Sequence, residues 1–294
     1  MVEIGLDRSE NYQTNDRKSY SETINNNQSH VQVTTDVLLK QQYTSRGNID
    51  HKIYPLFCIS QNSCLEIRDC SITSKNFEGQ NLQDVCFYLK GLNSSEAQSW
   101  NREAQPTLYI QSTMISGFFA PIHSAQMGRI LLDKVFISDS VSHAIDISNP
   151  FVFEMKECVI ENSKKSCINL RFSRGFQGLE RVERRVVIRN SELKKAKSYG
   201  ISVFGDNMTT FQNCQVEICE NKILSCAKDG IGIKNLNIKG VIIEKNEVSG
   251  SSGNGIYLQN IIDIASFSQV MIKGNKIVKS QLYGMVVMNT GCYS

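Results

Sequence analysis

Asp133, Asp139 and Asp146 lie within one short stretch of chain, with His123 and His143 close by. Two carboxylates across a glycosidic bond can cleave it, one as acid and the other as base or nucleophile. A carboxylate beside an imidazole can hold or move a proton. Whether these side chains do either depends on the faces to which the fold carries them. No G-x-S-x-G, P-loop or H-E-x-x-H pattern occurs, and the ten cysteines form no C-x-x-C pair. No metal and no cofactor is therefore expected.

The positioning elements are legible as a repeat. In Val241 to Leu258, VIIEKNEVSGSSGNGIYL, the residues Ile243, Asn246 and Val248 mark an I-x-x-N-x-V stretch. A small polar turn follows, then a second apolar strand from Gly255. Ile272, Asn275, Ile277 and Met285 repeat the unit downstream, and Ile218, Asn221, Ile223 and Ile231 repeat it upstream. The register runs back through Ile188/Ser191/Leu193/Ile201, Met155/Cys158/Ile160/Ile168 and Leu132/Val135/Ile137/Ile145. It weakens at Ile110/Thr113/Ile115, with His123 in the fourth place, and fades at Ile67/Cys70/Ile72. From Ile115 to Ile137 is 22 residues, whereas from Ile160 to Leu193 is 33. A constant motif on variable spacing means constant strands and variable outer loops, the pattern of a solenoid. β-branched residues alternate with polar ones and no helical stripe persists, which excludes helical repeats.

That register separates the three aspartates. One outward row reads Ser124, Asp146, Asn169, Ser202, Gly232, Tyr257 and Val286, with a single acid. A second reads Gly117, Asp139, Asn162, Lys195, Ser225, Gly250 and Lys279, again with one. Asp133 shares its row with Gln111, Lys156, Arg189, Cys219, Glu244 and Lys273. His123 falls in an apolar slot of a weak coil, and His143 in a turn open to solvent. Catalysis is not expected. Stacked Asn221, Asn246 and Asn275 read as a structural hydrogen-bonded column. Cys70 and Cys158, in the same column, read as small buried hydrophobes, and Cys167 stands where the later coils have the turn glycine.

Units of the type I-x-x-N-x-V followed by a short turn and G-I-x-[VIL] resemble the repeats of the right-handed parallel β-helix, or pectin-lyase-like, superfamily. The resemblance covers roughly residues 60 to 294 and is densest over 185 to 290. It implies an all-β, right-handed, single-stranded parallel β-helix of about eight coils. The superfamily holds polysaccharide lyases and hydrolases as well as non-enzymatic scaffolds, so the fold alone does not decide the function. The repeats are also similar to those of β-helix regions in F-box-type and Shc-binding spindle-associated proteins, although no F-box is visible.

Residues 1–50 are polar and read as an N-terminal arm or cap, with 51–294 as the β-helix repeat domain. The first residues lack an apolar signal core, so a cytoplasmic setting with reduced thiols is expected. From Lys156 to Lys197 twelve bases face five acids, in a chain whose net charge is only +3. The loop RFSRGFQGLERVERR and its neighbours nominate Arg171, Arg174, Phe176, Arg181, Arg184, Arg185, Lys194, Lys195 and Lys197 as a docking surface for an acidic protein partner. Nucleic acid is disfavoured because no aromatic platform interleaves the bases. Met285 and Val287 lie on an uncharged final strand, where a partner protein or second copy is expected to cap the open end. The function expected is a non-catalytic scaffold in a larger intracellular assembly, cytoskeletal or ciliary. A polysaccharide-active enzyme is the alternative.

Overall fold

The computed structural model describes residues 29–33, 37–39, 53–59, 63–74, 83–90, 105–124, 128–173, 182–206, 210–262 and 269–288. Each coil contains three short strands. One coil runs Arg129–Asp133, Phe136–Ser138 and Ile145–Ser148. The next runs Val152–Lys156, Val159–Glu161 and Ile168–Phe172, stacked parallel on the first. The apolar anchors coincide across the stack: Leu132 faces Met155, Ile137 faces Ile160, and Ile145 faces Ile168.

The middle strands form a nine-stranded sheet, one strand per coil. First and third strands belong to a 17-stranded sheet, which is continuous where Ile231–Glu244 serves as the third strand of one coil and the first of the next. Eight of the coils begin at Ser63–Arg68 or later, as the repeat requires. The ninth is built partly from the polar arm. There Ser29–Val33 pairs with Ser63–Arg68, and Val37–Leu39 pairs with Ser71–Ser74. The short apolar runs Val31-Gln32-Val33 and Val37-Leu38-Leu39 thus continue both sheets.

Alternation places the core. First strands such as Thr107–Gln111 bury every second residue, and the buried set runs without a break from Phe57 to Ile261. Burying each Ile, Leu or Val contributes about 1.5–3 kcal/mol relative to leaving it in water. The turn into the third strand has its own demand. A Cβ at Gly230 would lie 2.3 Å from Val248 Cγ1, and one at Gly255 would lie 2.2 Å from Ile277 Cγ2. Neighbouring coils press on this point, which accounts for the recurrent G-I step.

The corner between first and second strands is made by a residue at positive φ: Lys134, Glu157, Asn190, Glu220, Lys245 and Gly274 in successive coils. The residue after it closes a ladder. Asn275 Oδ1 accepts from the backbone N–H and side-chain amide of Asn246, both at 2.9 Å. Asn246 Oδ1 does the same for Asn221 at 3.0 Å, and Asn221 Oδ1 takes the Ser191 N–H at 3.0 Å. Ser191 Oγ accepts the Cys158 N–H at 3.1 Å. The column continues through sulfur: Cys158 Sγ accepts the Val135 N–H at 3.4 Å and donates to the Lys156 carbonyl at 3.2 Å. Cys158 is therefore not simply a small hydrophobe. Asn, Ser and Cys share this column because each can accept the N–H that the sharp corner takes out of the strand ladder.

Candidate functional site

Third strands carry an outward row whose members are bound to one another. Ser202 Oγ donates to Asn169 Oδ1 at 2.8 Å, and Asn169 Nδ2 donates to Asp146 Oδ1 at 2.8 Å. Arg171 Nη2 reaches both Asp146 oxygens at 3.2 Å. On the opposite side His123 Nδ1 lies 3.4 Å from Asp146 Oδ2, and the imidazole stacks on Tyr88 with centroids 5.7 Å apart. The row therefore reads Tyr88, His123, Asp146, Asn169, Ser202 across five coils. Ser142, His143 and Lys165 join it around a cleft of about 240 Å³.

His123 belongs to this row, and the sequence reading placed it wrongly. Its register put Ser124 beside Asp146 and His123 in the apolar slot. In the fold Ile122 fills the apolar slot opposite Ile145, His123 faces Asp146, and Ser124 is fully buried. From Ile137 to Ile145 is eight residues, but from Ile115 to Ile122 is seven. A turn shorter by one residue moves every side chain of the following strand to the other face. Asp133 and Asp139 are elsewhere, as the register required. Asp133 accepts from Gln111 Nε2 at 3.2 Å on the first-strand face, and Asp139 accepts from Asn162 Nδ2 at 3.2 Å in a turn.

The electrostatics of the cleft are set by burial and pairing. Burial alone would raise the Asp146 pKa. The hydrogen bond from His123, the Arg171 charge and the amide of Asn169 outweigh it and hold the carboxyl at about 2. His143 is half-buried rather than solvated, and its Nδ1 accepts the Ser166 N–H at 3.2 Å. Burial lowers its pKa to about 4 against the opposing pull of Asp146, so the ring is neutral at pH 7.

The expected docking residues divide into several groups. Arg174, Phe176 and Arg181 lie outside the described residues. Arg184 is not a surface residue. It points inward with Val186 and Ile188 on the strand Arg184–Arg189 and is 1% exposed. Arg171 is engaged by Asp146, Arg185 by Glu154 at 3.4 Å, and Lys194 by Glu161 at 3.4 Å. Lys195 and Lys197 are exposed. Met285 and Val287 are 50% and 44% exposed on the last coil. Among the described residues no group of three or more His, Cys, Asp or Glu side chains converges on a metal-sized site. Nor is any helix there long and apolar enough to cross a membrane.

A family model described as a right-handed β-helix region matches residues 143–293. The chain belongs to that family. The matched coils include His143, Asp146, Asn169 and Arg171, whereas His123 and Tyr88 lie before them. No curated protein and no solved structure matched the chain.

Proposed function

We propose that this right-handed β-helix protein is a non-catalytic interaction scaffold within a larger intracellular assembly. The observation that carries the reading is the state of Asp146. Its two oxygens are held by Asn169, Arg171 and His123, residues from neighbouring coils. A carboxyl kept ionised down to a pKa of about 2 is a weak proton acceptor at neutral pH and is not available as an acid. The row acts as a brace that ties three coils together. Cys158, Cys214 and Cys226 are buried thiols whose pKa burial pushes up to about 12, so they stay protonated at neutral pH and serve packing rather than nucleophilic chemistry. Partner proteins engage the exposed bases on the outer turns and the apolar strand Met285–Met288. The partners recovered with the tagged chain test the cytoskeletal or ciliary setting.

A brace makes a stability prediction. Asp146→Asn keeps the shape but removes the charge that Arg171 and His123 share. It is expected to lower unfolding free energy at pH 7 by about 1–3 kcal/mol. The second reading, a polysaccharide-active lyase or hydrolase, is favoured by one observation: Asp146, His123, His143 and Arg171 line a single cleft. It predicts the opposite outcome, since relieving a catalytic carboxylate is commonly neutral or stabilising. Equilibrium denaturation of the two proteins separates them.

A further inference from the structure

We propose that the turns between second and third strands form a binding groove for an extended acidic peptide segment, centred on Lys164, Lys195 and Lys197. The inference rests on the scaffold reading and names the chemistry of one partner. Five successive turns line the groove, the first four with three residues each and the last with Gly250 and Ser252. The first residue of each sits at positive φ, as at Asp139, Asn162, Lys195, Ser225 and Gly250. The second is small and buried, as at Ser140, Ser163, Ala196, Cys226 and Ser251. The third stands on the opposite rim, as at Lys164 and Lys197. The result is a channel of about 560 Å³ running along the stack, with a narrow floor between two rims.

Its floor cannot add a strand. Lys164 N–H bonds the Ser140 carbonyl at 2.9 Å, Lys197 N–H that of Ser163 at 2.9 Å, and Ser252 N–H that of Cys226 at 2.8 Å. Recognition must therefore come from the rims. On the corner and second-strand rows four lysines are matched across coils: Lys134 with Glu157, Lys222 with Glu192, Lys245 with Glu220 and Lys276 with Glu247. Lys164, Lys195 and Lys197 are exposed, and no carboxylate among the described residues pairs with them. They bring three like charges to the middle of the channel, Lys195 and Lys197 on opposite rims of one turn. Asp139, on the first turn and bonded to Asn162, is the one carboxylate in the lining, so the channel is net positive and selects a ligand of the other sign. Five turns spaced by roughly 4.8 Å span about 19 Å, the length of about six extended residues. An acidic peptide of that length fits.

The test uses the full chain and a fluorescein-labelled hexaglutamate peptide, with hexaglutamine as the neutral control. Fluorescence anisotropy is expected to show binding of hexaglutamate alone, weakening as salt is raised. The triple variant Lys164→Glu/Lys195→Glu/Lys197→Glu is expected to lose at least about tenfold in affinity. Lys90→Glu/Lys239→Glu/Lys273→Glu carries the same charge change on exposed positions outside this row and is expected to stay within about twofold of wild type. Carbodiimide coupling of hexaglutamate to the wild-type chain, mapped by mass spectrometry, keeps the test open if a variant folds poorly. Adducts are expected at Lys164, Lys195 and Lys197 before Lys90, Lys239 and Lys273. Equal losses in the two variants, adducts spread evenly, or displacement by single-stranded RNA at lower concentration than by peptide would each overturn the proposal. Glycan turnover with peptide binding intact would instead remove the scaffold reading and leave the groove.

Discussion

Asn246 and Asp146 both tie a coil to its neighbours, one from inside the wall and the other from outside it. Asn246 bonds the Ile218 carbonyl at 2.8 Å and receives both amides of Asn221. Asn246→Ala leaves these buried groups without partners, and chemical denaturation is expected to show a loss of about 2–3 kcal/mol. His143 predicts a pH response. In the fold it binds a proton only near pH 4, whereas the unfolded chain binds one near 6.5. Between those values the unfolded state holds more protons, so stability falls as pH drops from 6.5 to 4. Asp146 acts lower: its folded pKa of about 2 against 3.8 unfolded removes further stability as pH falls through that interval. Melting His143→Asn across this range should erase the upper part of the decline and leave the lower part. The asparagine column was legible in the sequence because Asn recurs there. The register also placed Ser191 and Cys158 in the column, but the bonding role of Cys158 was not legible, because a buried cysteine reads first as a small hydrophobe.

At the scale of strands and turns, the repeat carried most of the fold. Anchors such as Ile137, Ile160, Leu193 and Ile223 stack where their spacing puts them. Ile223→Ala should cost about 2–5 kcal/mol in equilibrium unfolding, since it removes a fully buried side chain from a stack that cannot collapse. Lys279→Ala, on an exposed turn, should cost under about 0.5 kcal/mol. Similar costs at both positions would contradict the register. What the repeat could not convey was a turn shortened by one residue. Between Ile115 and Ile122 that deletion hid His123 from the row of Asp146. Cross-strand pairing, rather than residue type, brings the two together. The buried place of Arg184 was hidden for a related reason. A run of Arg and Glu looks like surface until the alternation of the strand is known.

For the whole molecule, membership of the right-handed β-helix family settles the architecture and leaves the chemistry to the side chains on its outer rows. The nine coils among the described residues expose long parallel rows, and the same geometry can align either a catalytic set or a ladder of braces. In this chain Asp146 is bound on both oxygens by residues from other coils, and three exposed lysines without a carboxylate partner, Lys164, Lys195 and Lys197, line one groove. The scaffold proposal therefore has the stacked coils present charge to other proteins. Its central claim is most directly tested by incubating the purified chain with acidic and neutral polysaccharides, with and without calcium, and measuring new reducing and unsaturated ends. No product above that of Asp146→Asn is predicted. Product that forms with the wild-type chain and disappears in a folded Asp146→Asn variant would contradict it.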